Sequence, residues 1–133
     1  MTFTTGFSLE FAINFARFPV ADQLKINTFQ TQFEGFGLGD FSKYPGKIAP
    51  SWSGLAPADP NYSFAYGNDL WHYHIGIPRF TPSISGRYFT SDWLLHFQWP
   101  NWRNSGPHIH IVDLLPHNGY SGAFNLPSTS ALP

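Results

Sequence analysis

The chain has 133 residues, with seven lysines and arginines, eight aspartates and glutamates, and no cysteine. Its length fits one compact domain, taken as residues 1–133, and the lack of cysteine excludes thiolate metal sites, cysteine nucleophiles and disulfides. A net charge close to zero gives little electrostatic attraction to nucleic acid without the help of another partner.

A secreted or membrane-bound location is not expected from the N-terminal sequence. Residues 1–8 lack the basic region of a signal peptide, and the apolar run that follows is interrupted by Glu10, Asn14 and Arg17. No apolar run approaches the roughly 20 residues of a membrane span. We therefore expect a cytoplasmic protein that has no membrane partner.

The first predicted element is a short helix over residues 9–17. Ser8 precedes it, and serine is a favoured N-cap because its hydroxyl accepts a free backbone N–H of the first turn. Apolar residues at spacings of three and four predict the buried face of this helix: Leu9, Ala12, Ile13 and Ala16.

A second helix is predicted over residues 19–33. Pro19 suits its first turn because that position needs no N–H donor, and three glycines within residues 34–39 favour its end. The two helices, at about residues 9–35, are expected to form a helical hairpin. The expected apolar stripe of the second helix has four members: Leu24, Thr28, Phe29 and Phe33.

A long connector follows over residues 40–69, in which no clear periodicity is visible. Loops of this length are uncommon in compact domains and are often functional. Within the connector, residues 62–66 are interpreted as a short extra strand.

Three strand-like runs come next, at Leu70–Ile77, 88–99 and 108–115. Short connections rich in proline and glycine predict an antiparallel meander with residues 88–99 in the middle. Helices followed by an antiparallel sheet of three or four strands, within residues 70–115, predict an α+β fold. Residues 116–133 are expected to form a C-terminal tail.

The three runs separate polar from apolar residues, because a strand alternates its faces with a period of two. We expect the helices to cover the apolar face and to leave the face with five histidines open to solvent. The predicted open face carries His72, His74, Asp92, His96, Gln98, His108 and His110. The predicted core face carries Trp71, Tyr73, Ile75, Ile77, Trp93, Leu95, Phe97, Trp99, Ile109, Ile111 and Leu115.

Several kinds of chemistry suit the histidine face, because imidazole exchanges protons near neutral pH and binds metals. A zinc or iron site formed by His72, His74 and His110 is one interpretation, although no carboxylate follows His74 before Asp92. Proton transfer or contact with phosphate is a second interpretation, and a merely exposed polar surface is a third. Asp92 is either a partner that fixes a histidine tautomer or a turn residue at the strand end.

Further candidates flank the strands. Arg79 and Arg87 lie at the two ends of the first connection, where they can hold a phosphate or simply increase solubility. His117 and Tyr120 follow the last strand, where they can act as an acid or base and as a stacking ring. A turn histidine without any role is the alternative for His117.

Residues 70–80, 88–99 and 108–120 resemble, in order and spacing, the RelE/ParE superfamily of bacterial toxins, especially the YafO-type branch. The shared features are a histidine-rich first strand, a central strand with a T-x-D pattern, and an aliphatic last strand that ends in a Pro–His turn. The resemblance covers about residues 9–120. It implies two helices packed against an antiparallel sheet, whose open face binds RNA on the ribosome. It also implies that a cognate antitoxin holds the protein inactive.

By position, His72 and His74 match the first-strand histidines, Thr90 and Asp92 match the central strand, and His117 matches the Pro–His turn. The function implied is that of a type II toxin, an mRNA-cleaving endoribonuclease that uses acid–base chemistry without a metal or other cofactor. The predicted catalytic residues are His72, His74, Asp92, His96 and His117. The predicted contacts with RNA or phosphate are Arg79, Arg87, Tyr88, His110 and Tyr120.

Two alternatives belong to other functional classes. Near-neutral charge and an aromatic content of 19% favour a non-enzymatic module that binds a protein through exposed aromatic residues, such as a phage or accessory inhibitor on the same fold. The second alternative is a metal-dependent enzyme that uses the histidine face.

Overall fold

A five-stranded mixed sheet forms the centre of the computed structural model, which describes residues 2–119 and 123–133. The strands in chain order are β1 (Thr4–Phe7), β2 (Ile48–Pro50), β3 (Leu70–Ile77), β4 (Thr81–Pro82), β5 (Phe89–Thr90), β6 (Trp93–Gln98) and β7 (His108–Pro116). The order in the five-stranded sheet is β1-β7-β6-β3-β2, with β1 parallel to β7 and all other pairs antiparallel. Strands β4 and β5 pair with each other in a separate two-stranded sheet, and together with the turn that joins them they are called the hairpin arm.

Within the described residues, three α-helices accompany the sheet: α1 (Leu9–Phe15), α2 (Val20–Phe36) and α3 (Pro60–Gly67). The predicted α+β class is confirmed, as is the antiparallel meander of β3, β6 and β7. The predicted helical hairpin fits only loosely, because α1 is a short helix and both α1 and α2 pack mainly on the strands. Among the described residues, no helix combines the length and apolar character that a bilayer-spanning segment needs.

Helix α1 begins where it was predicted, but it buries a different face. The hydroxyl of Ser8 accepts the N–H of Phe11 at 3.3 Å, which confirms the cap. Leu9 and Ile13, which were predicted to be buried, are 79% and 53% exposed. Phe11 is buried instead, with its ring centroid 4.9 Å from that of Phe7. Aromatic rings remove more apolar surface from water than the leucine and alanine stripe does, so they determine the orientation of the helix.

Helix α2 extends beyond its predicted end, and Pro19 is its N-cap residue. Phe29 and Phe33 are buried as predicted. Leu24 is 61% exposed, and Ile26 is buried in its place. Ile26, Phe29 and Phe33 are separated by three and four residues, so they share one face of the helix.

The connector contains more structure than its sequence indicated. Strand β2 and helix α3 both lie within residues 40–69, and the predicted strand at residues 62–66 is part of α3. The carboxylate of Asp59 caps this helix by accepting the N–H of Asn61 at 2.9 Å, and Pro60 occupies the first turn. The Asp–Pro pair is therefore a helix start.

The sheet differs from the predicted sheet of three or four antiparallel strands in two respects. Residues 4–7 add a parallel edge strand beside β7, an element that was not predicted. The predicted strand at residues 88–99 is divided into β5 and β6. The hydroxyl of Ser91 accepts the N–H of Gly76 at 3.1 Å and donates to the carbonyl of Trp93 at 2.8 Å, which accounts for the interruption.

The predicted core face is largely confirmed, with two corrections. Trp93, which begins β6, is 37% exposed. A register shift between β6 and β7 places Leu114 in the main core, whereas Leu115 pairs with Leu94. A bulge of this kind inserts one residue and reverses the alternation beyond it.

The histidine face is not open, which contradicts the prediction. A second core covers this face and combines Ala65 of α3, Leu70 of β3 and Val112 of β7. Leu126 and Leu132, from the C-terminal segment 123–133, pack against it. The sheet therefore has a covered layer on each side, and His72, His74 and His96 are buried, whereas His108 and His110 are partly exposed.

Candidate functional site

Four histidines lie next to one another on the covered face and are called the histidine cluster: His72 and His74 on β3, His96 on β6, and His117 just after β7. The antiparallel register places His72 opposite His96. Ring centroids are 5.8 Å apart for His72 and His74, 6.0 Å for His72 and His96, and 6.0 Å for His74 and His117.

One aromatic ring covers the cluster. The ring centroid of Phe124 is 5.1 Å from that of His72, 6.0 Å from that of His96 and 5.2 Å from that of His117. The N–H of Asn125 donates to the carbonyl of His117 at 2.9 Å, which holds the C-terminal segment against the end of β7. His72, His74 and His96 are consequently buried, whereas His117 is exposed.

Burial keeps three of these imidazoles uncharged. It lowers the pKa of His74 to about 4 and the pKa of His96 to about 3, and the neighbouring imidazole of His117 adds to both shifts. The pKa of His72 is also well below its ordinary value because of burial, with further contributions from His96 and His74. Removal from water penalises the charged form of each group. The buried members are therefore neutral at physiological pH.

Hydrogen bonds assign the proton on two of the rings. Nδ1 of His74 accepts the N–H of Ser91 at 3.0 Å, so its proton is on Nε2. Nδ1 of His117 lies 2.6 Å from Oδ1 of Asn118. An amide oxygen can only accept, so Nδ1 of His117 carries a proton and Nε2 of the neutral ring carries the lone pair. His74 is thus a hydrogen-bond donor and His117 a proton acceptor.

The two other members of the cluster, His72 and His96, are buried side chains. Nδ1 of His72 is 2.9 Å from the hydroxyl of Ser51, in a buried pair. Neither ring nitrogen of His96 has a hydrogen-bond partner among the described residues, although its side chain is fully buried. Buried polar atoms without partners are rare in folded proteins, so His96 contributes packing at an energetic cost.

An open groove of about 460 Å³, called the histidine groove, lies at the edge of the cluster. His74 of β3 and His117, which follows β7, both line it, and the exposed Asp92 lies on its rim. The backbone carbonyl of Asp92 accepts the N–H of His117 at 2.7 Å, which joins two of the residues that line the groove. Its lining residues are His74, Thr90, Ser91, Asp92, Pro116, His117 and Asn118. Three of the predicted catalytic residues therefore line the groove, while His72 and His96 do not.

His110 does not join the cluster. It lies on β7 beside β1, where its Nδ1 is 3.5 Å from Nε2 of His108. Nδ1 of His108 is 2.8 Å from the hydroxyl of Thr4. Burial, followed by the charge of His108, lowers the pKa of His110. The predicted metal trio is thereby separated, and among the described residues no group of three or more histidines, cysteines or carboxylates is placed to hold a metal ion.

The predicted phosphate contacts lie in other cavities. Arg79 lines a cavity of about 370 Å³ between α2 and β3, which it shares with Lys25. Arg87 and Tyr88 line a cavity of about 470 Å³ beside the hairpin arm. Tyr120 lies outside the described residues. No predicted arginine therefore reaches the histidine groove.

The sequence interpretation missed Asn118 and Phe124, which orient and cover the cluster. The His–Asn pair at 117–118 was a local signal for the first, because adjacent side chains can form a hydrogen bond within one turn. The sequence indicated residues 124–126 as the only anchor of the C-terminal tail, but nothing local showed that the ring of Phe124 would contact the histidines. No family model, curated protein or solved structure matches the chain in comparisons with known proteins.

Proposed function

We propose that the protein is an endoribonuclease that cleaves mRNA on the ribosome, as a toxin of a type II toxin–antitoxin system does, with the histidine groove as its site. The observation that carries the proposal is the pairing of a donor imidazole, His74, with an acceptor imidazole, His117, at a centroid distance of 6.0 Å. The resemblance of the strand runs to the RelE/ParE superfamily supports it.

Transesterification of an RNA backbone suits this pair. Nε2 of His117 accepts the proton of a 2′-hydroxyl, and the 2′-oxygen bonds to phosphorus while the bond to the 5′-oxygen breaks. The products are a 2′,3′-cyclic phosphate and a 5′-hydroxyl, which takes its proton from water on the open side of the groove. The Nε2–H of His74 donates to a phosphate oxygen that gains negative charge in the transition state.

The charge of the chain explains why a ribosome is part of the proposal. With seven cations in 133 residues and a formal net charge of −1, the protein gains little affinity from neutralising phosphates. A ribosome that holds mRNA in an extended form supplies the substrate at high local concentration. A cognate antitoxin would inhibit the enzyme by covering the groove.

Cleavage by the purified protein tests this proposal. We expect the intact protein to cut mRNA on translating ribosomes and to leave 2′,3′-cyclic ends, whereas His117→Ala should lower the cleavage rate by about 10²–10⁴-fold, as loss of a general base does. His108→Ala is the matched control, because it removes an imidazole of the same sheet outside the groove. Equal cleavage by His117→Ala and the intact protein would contradict the proposal.

A second candidate, a non-enzymatic protein-binding module, is favoured by the hairpin arm. Ile84 at its turn is fully exposed, and Tyr88 and Phe89 are 47% and 50% exposed. Apolar side chains that project from one element are typical of binding surfaces. A complex with a protein that survives moderate salt and is lost in Ile84→Asp, together with no cleavage of mRNA, would favour this candidate.

A further inference from the structure

The cavity beside the hairpin arm, called the hairpin pocket, is separate from the histidine groove. It lies between the connector and β5, and its volume of about 470 Å³ is in the range of small-molecule sites. Its principal lining side chains are Phe41, Tyr44, Lys47, Arg87, Tyr88 and Phe89. Four of these are aromatic and two are cationic.

The aromatic walls of the hairpin pocket present rings to solvent. Phe41, Tyr88 and Phe89 are 41%, 47% and 50% exposed, although their apolar area would favour burial. The fourth ring, Tyr44, is held in place by its hydroxyl, which donates to the carbonyl of Gly37 at 2.6 Å. Exposed rings around one cavity form a stacking surface for a flat ligand.

The charges of the hairpin pocket have one sign. Lys47 and Arg87 line it, and no aspartate or glutamate does. The ammonium group of Lys47 lies 5.4 Å from the ring centroid of Tyr88, so positive charge and stacking surface are adjacent. An aromatic plane beside two cations is complementary to a ligand that joins a flat heterocycle to a phosphate.

The hairpin pocket and the histidine groove are separate cavities whose lining residues are connected through the backbone. Phe89 lines the pocket, and the next residue, Thr90, lines the groove. The N–H of Lys47 donates to the carbonyl of Phe89 at 3.0 Å, while the carbonyl of Lys47 accepts the N–H of His74 at 2.9 Å. The lining residues of the two cavities are therefore neighbours along β5, as binding of one polynucleotide strand at both sites would require.

We propose that the hairpin pocket binds one nucleotide of the RNA strand that enters the histidine groove. Its base stacks on Tyr88 and Phe41, and its phosphate contacts Arg87 and Lys47. The assignment to an RNA substrate rests on the proposed function, whereas recognition of a nucleotide by the pocket does not. The pocket would thereby select the base that neighbours the cleaved bond.

Calorimetric titration of the full chain with the four ribonucleoside 5′-monophosphates tests the proposal. We expect at least one to bind more tightly than its nucleoside or inorganic phosphate, because only the nucleotide engages both rings and cations. Arg87→Gln should weaken binding about tenfold, the effect of losing one hydrogen bond to a charged group. Arg17→Gln is the matched control, since it removes an exposed arginine outside the pocket.

The stacking role is tested at Tyr88. Tyr88→Ala should weaken nucleotide binding about tenfold, and Tyr88→Phe should restore it, because the ring is retained. Both variants should unfold at the same urea concentration as the intact protein, since this side chain is exposed. Nucleotide binding that is absent, or unchanged in both Arg87→Gln and Tyr88→Ala, would overturn the proposal, as would equal affinity for nucleoside and nucleotide.

Cleavage assays with ribosome-bound mRNA distinguish this proposal from the proposed function. On ribosome-bound mRNA, Arg87→Gln and Tyr88→Ala should raise KM about tenfold and change the base beside the cut, with smaller effects on kcat. Specific nucleotide binding without any cleavage would contradict the proposed function and leave the pocket assignment intact. Cleavage at unchanged sites and unchanged KM in both variants would overturn the pocket assignment alone.

Discussion

The Nε2 atoms of His74 and His117 have opposite roles in the histidine groove, because the hydrogen bond at Nδ1 of each ring determines which nitrogen carries the proton. The backbone N–H of Ser91 donates to Nδ1 of His74, whereas Nδ1–H of His117 donates to the amide oxygen of Asn118. The same residue type therefore presents a donor at one side of the groove and a lone pair at the other. This difference, more than the number of histidines, is what suits the groove to acid–base chemistry.

The tautomer of His117 can be tested through Asn118, a positioning residue. Asn118→Ala removes the acceptor at 2.6 Å and should lower kcat for mRNA cleavage about tenfold, roughly the value of one hydrogen bond, with little change in KM. Asn118→Asp keeps an acceptor oxygen and should retain most of the activity. Equal kcat values for the alanine variant and the intact protein would show that the bond does not position the base.

His96 provides a prediction about stability. Both of its ring nitrogens lack partners among the described residues, and such atoms cost the desolvation energy of a polar group. His96→Leu should therefore raise the free energy of unfolding by about 1–2 kcal/mol in urea titrations at pH 7. His110→Leu should change the free energy of unfolding less, because the side chain of His110 is only partly buried. A marked loss of stability in His96→Leu would indicate a hidden partner of the ring.

At the scale of elements, the C-terminal segment determines whether the histidine face is accessible. The sheet face was predicted to be an open RNA groove, yet Phe124 and Leu126 pack over it. In the described part of the chain, the edge of the cluster at the end of β7 is open as the histidine groove. Under the proposed function, a substrate would therefore meet His74 and His117 and would not meet the inner face of the sheet.

Phe124→Ala tests this cover. Loss of a partly buried ring should lower the free energy of unfolding by about 1–3 kcal/mol, measured by urea titration. Water would then reach the cluster, so NMR titration should show the pKa of His72 and His74 closer to ordinary values than in the intact protein. Thr129→Ala, an exposed change on the same segment, is the control. Unchanged titration curves in Phe124→Ala would contradict the covering role.

At the scale of the whole molecule, the buried imidazoles couple folding to pH. Burial lowers the pKa of His74 to about 4 and that of His96 to about 3, against 6.5 in the unfolded chain, and His72 shifts in the same direction. Between these values the unfolded state binds more protons, so stability falls as pH decreases below 6.5. Asp113 opposes this trend, because burial raises its pKa to about 6 from 3.8.

The expected net result is acid destabilisation. Three histidines favour the unfolded state on acidification and one aspartate favours the folded state, so unfolding at about pH 5 should take up roughly two protons. Urea titrations at pH 7.5, 6 and 5 measure this as a falling free energy of unfolding. His96→Leu should show a shallower pH dependence than the intact protein. Stability that is constant or rises between pH 7.5 and 5 would contradict the burial of neutral histidines.

Local sequence signals predicted several features correctly. The N-cap at Ser8 and the alternation of His72 and His74 with core residues follow from geometry that spans a few neighbouring residues. The three runs that became the meander of β3, β6 and β7 were identified for the same reason. The helix faces were predicted less well, because the choice between the Leu9 stripe and the Phe11 stripe depends on what each one packs against.

The sequence by itself determined the α+β class, the meander, and the placement of His72, His74 and His96 on one face of the sheet, because strand periodicity is a local property of the chain. Tertiary structure alone decided that this face is covered, that β1 joins the sheet, and that Arg87 lies in a different cavity from His117. Burial depends on segments that are distant in sequence, and the C-terminal residue Phe124 meets the histidines only in the folded protein.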